Sequence, residues 1–121
     1  TARSLPAAVV RGETSDRFLI GVSTHSPGEA EAAQTGGADF ILFGPVFETK
    51  SKRQFGPPQG LNKLAEVVEA VDSLPVIAIG GISLENVSRC LQHGAAGVAA
   101  IGLLNDSNNL AATVRSIREA I

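Results

Sequence analysis

Three stretches of this sequence carry residues suited to holding an anion. In Ile79-Gly80-Gly81-Ile82-Ser83 and in Ile101-Gly102 an apolar run ends on glycine. With no Cβ in the way, backbone N–H groups there can point outward. A phosphate dianion needs several such donors and the positive end of a helix dipole. The plainer reading is that these glycines only turn the chain. Thr49-Lys50-Ser51-Lys52 adds two hydroxyls and an ammonium, able to hold phosphate oxygens from the side opposite a backbone nest; a merely solvated lysine loop is the alternative. Gly21-Val22-Ser23-Thr24-His25 offers Ser23 as a donor to an anion and His25 as a proton carrier near neutral pH. Neither has an evident third partner, so no nucleophilic triad is indicated, and a His after a strand is commonly structural or solvent-facing.

Other polar residues read as structural. His93 falls in the last turn of an expected helix, where positive charge suits the dipole. Cys90 lies on an apolar helix face and reads as core. Asp39 opens a strand at the end opposite the glycines, a place for capping or an ion pair. Two His and scattered carboxylates give no metal-ligand spacing.

The elements that must position these residues alternate between strand and helix. Phe18-Leu19-Ile20-Gly21-Val22 is a continuous apolar run, the pattern of a strand buried on both faces. Ser26-Pro27 opens a helix with Ser as N-cap, Pro just inside and Glu29 as the third helical residue, and Gly36-Gly37 ends it. Phe40-Ile41-Leu42-Phe43 is the next strand, followed by a loop over 44–60 too long for a mere connection. Leu61, Leu64, Val67, Val68 and Val71 predict a helix over 61–72. Pro75-Val76-Ile77-Ala78-Ile79 is the third strand, and Ser83 caps a helix carrying Val87, Cys90 and Leu91 and ending at His93-Gly94. Gly97-Val98-Ala99-Ala100-Ile101 is the fourth strand; a helix over 109–120 follows, and Ser4-Leu5-Pro6 reads as the start of another upstream. Gly37-Ala38-Asp39-Phe40-Ile41 and Gly94-Ala95-Ala96-Gly97-Val98 form a weak internal repeat, each placing a helix-ending Gly just before a strand.

Repeated βα units with buried parallel strands mean an α/β fold, either an open doubly wound sheet or a barrel, and both use the C-terminal ends of the strands for chemistry. One domain over 1–121 fits the length of 121 residues, and 44% hydrophobic residues are ordinary for a globular chain. A net charge of -2, no basic stripe and no Trp or Tyr argue against nucleic acid. Strand-length apolar runs argue against a membrane span. The single Cys excludes an intrachain disulfide, and residues 1–10 lack the apolar core of a signal peptide, so the expected compartment is cytoplasmic. The absence of a starting Met suggests a fragment or a processed chain.

Gly21-Val22-Ser23-Thr24-His25-Ser26, Gly37-Ala38-Asp39-Phe40 with Gly44-Pro45-Val46-Phe47, Thr49-Lys50-Ser51-Lys52 and Ala78-Ile79-Gly80-Gly81-Ile82 stand in an order and spacing that resemble the thiamine phosphate synthase family. The resemblance runs from about Leu5 to the C-terminus. It implies a (β/α)₈ barrel of TIM type, of which this chain would be the C-terminal half with about four parallel βα units. It also implies a reaction in which a thiazole phosphate's ring nitrogen attacks the methylene of hydroxymethylpyrimidine diphosphate, expelling Mg²⁺-bound pyrophosphate. By position, Ser23 and Lys52 would touch the pyrophosphate. Thr49, Ser51 and the backbone at Gly80, Gly81 and Gly102 would hold the thiazole phosphate. In the family's thiazole tautomerase branch the residue matching His25 moves the proton.

Departures from the family pattern are specific. The first half of the barrel, which supplies diphosphate-binding Gln, Arg and Asn and an Asp for Mg²⁺, is absent. Where a Gly-Gln-Glu-Asp stretch would carry a second metal ligand, this chain has Ala2-Arg3-Ser4, so no Mg²⁺ ligand is present. Gly102 replaces a Ser. The expectation is therefore a synthase-like domain that is weak or inactive alone; the alternatives are a tautomerase and a non-catalytic phosphate-binding half-barrel. Geometry adds one more expectation. A half-barrel's concave face, carrying Ile20, Leu42, Ile77 and Ala99 or their neighbours, would expose apolar surface and strand edges, so the chain should pair as a homodimer or with a missing N-terminal half.

Overall fold

The computed structural model describes residues 19–49 and 57–100, with the single positions 115, 118 and 119. Within them the order is β1 (Gly21–Thr24), α1 (Pro27–Thr35), β2 (Phe40–Phe43), α2 (Leu61–Ala70), β3 (Val76–Ile79), α3 (Val87–Gln92) and β4 (Gly97–Ala99). Lys50, Ser51, Lys52, Ile101, Gly102 and the expected upstream helix lie outside the described residues, as does most of the expected last helix, of which Arg115, Arg118 and Glu119 are helical and exposed.

All four strands are parallel and lie in chain order, β1-β2-β3-β4. A doubly wound sheet reverses its strand order at a switch point; here none occurs among the described residues. The helices also share one face, with α1 packed on α2 and α2 on α3. Sequential parallel strands with helices on one side are a sector of a (β/α) barrel.

Register sorts the strand residues into two faces. Val22, Ile41, Val76 stand in one row and Thr24, Phe43, Ala78, Val98 in rows beside them, all on the helix side. Ile41, Phe43, Val76 and Ala78 are fully or almost fully buried there against Leu64, Val67, Val71, Val87 and Cys90. Burial of each of the Val, Leu, Ile and Phe side chains among these contributes roughly 1.5–3 kcal/mol. On the opposite face Ser23, Leu42, Ile77 and Gly97 form one row and Ile79 and Ala99 another, and all are half-buried or exposed. The ring of Phe40 lies over Gly21 on this face, where an added Cβ would collide with it.

Several expected details change. The first strand starts at Gly21, after Leu19 and Ile20, because the Ile20 N–H is taken by the Asp39 carboxylate at 2.7 Å and the ladder starts one residue later; Phe18 lies outside the described residues. Leu19 is left 78% exposed ahead of the strand, and within it Gly21 and Ser23 are exposed, so this strand is not buried on both faces. Ile20 itself is 7% exposed and belongs to the helix-side core, not the concave face. Of the capping or ion-pair role expected of Asp39, the bond to the Ile20 N–H is capping in kind.

The repeat read in the sequence is structural. Gly37 and Gly94 both take left-handed φ, at 95° and 102°. After α1, Gly37 N–H donates to Gln34 and Ala38 N–H to Ala33; after α3, Gly94 N–H donates to Leu91 and Ala95 N–H to Cys90. Both are Schellman endings. Each then feeds the next strand through a matching bond, Asp39 N–H to Ile20 and Ala96 N–H to Val76, both at 2.8 Å.

Candidate functional site

Strand polarity brings the residues singled out by chemistry to one end of the sheet. Ser23 and His25 close β1, the loop 44–49 follows β2, and Gly80-Gly81 follow β3. The last two groups are joined. Val46 N–H donates to the Ile79 carbonyl at 3.0 Å and Phe47 N–H to the Gly80 carbonyl at 3.1 Å, so the loop after β2 continues the ladder past the end of β3. Gly80 and Gly81 take φ of 96° and 67°. A Cβ on Gly81 would lie 2.5 Å from the Glu48 carbonyl oxygen and 2.7 Å from Phe47 Cβ, and one on Gly80 2.5 Å from Pro45 Cα. Both the dihedral and the close approach require glycine.

Thr49 is the next residue along that loop. Its Oγ1 is buried and has no hydrogen-bond partner among the described residues. Leaving a hydroxyl in that condition costs about 1–3 kcal/mol, a cost that a ligand acceptor would remove.

Behind the glycine turn, Asn86 makes two bonds. Its Oδ1 accepts the Ser83 N–H at 2.8 Å, and its Nδ2 donates to the Gly81 carbonyl at 3.0 Å. Sequence reasoning assigns the cap to Ser83 and gives Asn86 no role. The signal available was its place three residues after Ser83, the position from which a capping-box side chain reaches back. The helix also begins later than expected: α3 starts at Val87, with Ser83 accepting the N–H groups of Asn86 and Val87 from the preceding turn. The positive end of this six-residue helix therefore does not abut Gly81, and donors at the turn must be peptide N–H groups.

Ser23 is exposed on the concave face, level with Leu42 and Ile77. Two strand spacings and three further residues separate it from Gly80, roughly 10 Å or more. His25 lies just past β1; its N–H donates to Glu29 Oε2 at 2.6 Å and its Nδ1 is 3.4 Å from the same oxygen, with 43% of the side chain exposed. Thr49, Gly80 and Gly81 are thus brought together, and Ser23 and His25 stand apart from them at the same end. Burial pushes the Cys90 thiol up, in keeping with a core role away from this end. Among the described residues no three His, Cys, Asp or Glu cluster to hold a metal ion, so those residues do not fit a Mg²⁺ site.

A family profile described as thiamine monophosphate synthase matches residues 1–104 of the chain. The chain belongs to the thiamine monophosphate synthase family. Within it, a protein of Pelotomaculum thermopropionicum named thiamine-phosphate synthase is 41% identical over 117 residues, 97% of this chain and 53% of its own length. Another of that name from Methanoculleus marisnigri is 41% identical over 120 residues, 99% of this chain and 56% of its own. The solved structure of thiamine phosphate pyrophosphorylase from Pyrococcus furiosus superposes with a TM-score of 0.84 at 28% identity, covering 98% of this chain and 55% of that one. That fold is of TIM-barrel type, in agreement with the chain-order sheet seen here. The chain spans about half the length of the family members it matches.

Proposed function

We propose that this chain is the thiazole phosphate-binding half of a thiamine phosphate synthase, a transferase that joins hydroxymethylpyrimidine diphosphate to thiazole phosphate. The observation that carries it is the buried Thr49 hydroxyl, without a hydrogen-bond partner among the described residues, in the loop that packs against the Gly80-Gly81 turn. A phosphate group there gives the hydroxyl its missing partner and takes the N–H groups of the turn. Ser51 and Gly102, outside the described residues, complete the same grip by their place in the family pattern. The separation of Ser23 from the turn suits two phosphate-bearing substrates better than one. Ser23 and Lys52 serve the diphosphate.

In the reaction the thiazole nitrogen supplies the electron pair for a new C–N bond at the pyrimidine methylene. The C–O bond to pyrophosphate breaks, and pyrophosphate leaves with that bond's electrons. Charge gathers on the leaving group, so the Lys52 ammonium acts where it develops. Mg²⁺ would neutralise pyrophosphate when bound, and its ligands would lie outside the described residues. Charged substrates of this kind do not cross bilayers unaided, and the cytoplasm is the compartment proposed. Among the described residues no helix is long and apolar enough to cross a membrane. The half-exposed concave face and the two strand edges, which have no further strand among the described residues, support pairing with a second copy or with the other half of a barrel.

A chimera carrying the N-terminal half of the Pelotomaculum relative tests this. It should release pyrophosphate only when both substrates are present. Lys52→Ala should lower kcat on the order of a hundredfold with little change in KM for thiazole phosphate. Equal losses in both would place Lys52 on the wrong phosphate, and no turnover by a folded chimera would sink the synthase assignment.

A further inference from the structure

The carbonyls of the glycine turn are both held. Gly80 C=O accepts the Phe47 N–H at 3.1 Å, and Gly81 C=O accepts Asn86 Nδ2 at 3.0 Å. In a planar trans peptide the N–H points opposite to the C=O, and the only cis bond among the described residues is Gly44-Pro45. Fixing these two carbonyls therefore turns the Gly81 N–H away from Phe47 and the Ile82 N–H away from Asn86. No acceptor among the described residues takes either of them. One of the two anchors is a loop backbone that belongs to the ladder. The other is a single side chain.

We infer that Asn86 is a positioning residue for the phosphate grip, holding the Gly81-Ile82 peptide so that the Gly81 and Ile82 N–H groups converge on one anion. This rests on the turn binding phosphate at all. The side chain is suited to it: an amide offers a donor to Gly81 and an acceptor to the Ser83 N–H at once, and the second bond keeps the first in place. Glycines with φ of 96° and 67° have no side chain of their own to fix either peptide. Released from Asn86, the Gly81-Ile82 plane can rotate about two free torsions, and a donor that must be re-aimed on binding holds its ligand less tightly. Preorganised N–H groups are what an anion site gains from its surroundings.

Inorganic phosphate is the probe, followed through the amide resonances of the whole chain in the unaltered protein, Asn86→Ala and Asn86→Ser. Both variants are neutral and remove the reach to the Gly81 carbonyl. Asn86→Ser keeps a polar group at the turn if the alanine variant fails to fold. The unaltered protein should show saturable shifts at Gly81 and Ile82. In a folded variant, affinity should fall at least tenfold, with the free-state resonances of Gly81 and Ile82 displaced and those of β1 and α1 unchanged. A folded variant that binds phosphate within twofold of the unaltered protein overturns the role of Asn86 and leaves the site standing. An unaltered protein whose Gly81 and Ile82 amides ignore phosphate overturns the site, and the role of Asn86 with it.

Discussion

Thr49 separates what residue type can say from what only burial can say. Its place in Thr49-Lys50-Ser51-Lys52 marked it as a candidate, but nothing in the sequence indicated that its hydroxyl would be enclosed without a partner. That enclosure has a consequence opposite to the usual one for a buried Thr. Thr49→Val removes an unsatisfied oxygen at nearly constant volume, so the ligand-free protein should gain up to about 1 kcal/mol while losing phosphate affinity. Urea denaturation of the two forms checks it. Loss of stability on substitution would mean the hydroxyl is already satisfied. Gly81 was singled out because a missing Cβ leaves backbone N–H groups open; the structure adds a separate need for glycine there, its φ of 67° and the Glu48 carbonyl against it. Asn86 was not, because its two bonds join residues whose juxtaposition depends on a turn that the pattern of apolar residues does not specify.

Elements with strong local signals emerged where the sequence placed them. Ser26-Pro27-Gly28-Glu29 forms the cap read from it: Ser26 accepts the Glu29 N–H at 3.1 Å with Pro27 as first helical residue. The Glu29 carboxylate reaches one residue further back than in the usual box, to the His25 N–H. Ser26→Ala should therefore cost about 1 kcal/mol, read as a lower denaturation midpoint at unchanged slope. A variant with no loss would mean that the Glu29 bond alone holds the end. The strand ends were less legible. Run length suggested that the first strand starts at Phe18, but a side chain from the neighbouring strand, Asp39, intercepts the Ile20 N–H. Such an interception is a long-range event and leaves no mark in local periodicity. The start of α3 was misplaced for a related reason, as Ser83 serves through its carbonyl and backbone N–H, not its hydroxyl.

For the whole molecule, strand order settled between the two folds that composition left open: the four strands run parallel in chain order, and the described helices pack on one face of the sheet. The opposite face carries Leu42, Ile77 and Ile79, all half-buried, and no described helix packs on it. This chain alone should therefore sediment at micromolar concentration as a dimer or larger species, and Ile77→Lys should weaken that association. A compact monomer that unfolds cooperatively would mean the concave face is covered by residues of the chain itself. Every described residue assigned to chemistry stands at one end of this sheet, and the central claim is that the loops after β2 and β3 make a phosphate grip there. The most direct measurement is titration of the unaltered protein with millimolar inorganic phosphate, read amide by amide. Saturable shifts confined to Thr49, Gly81, Ile82 and their neighbours are predicted, with His93 at the far end unmoved. Shifts that are absent at Gly81 and Thr49, or spread evenly over both ends of the sheet, would contradict it.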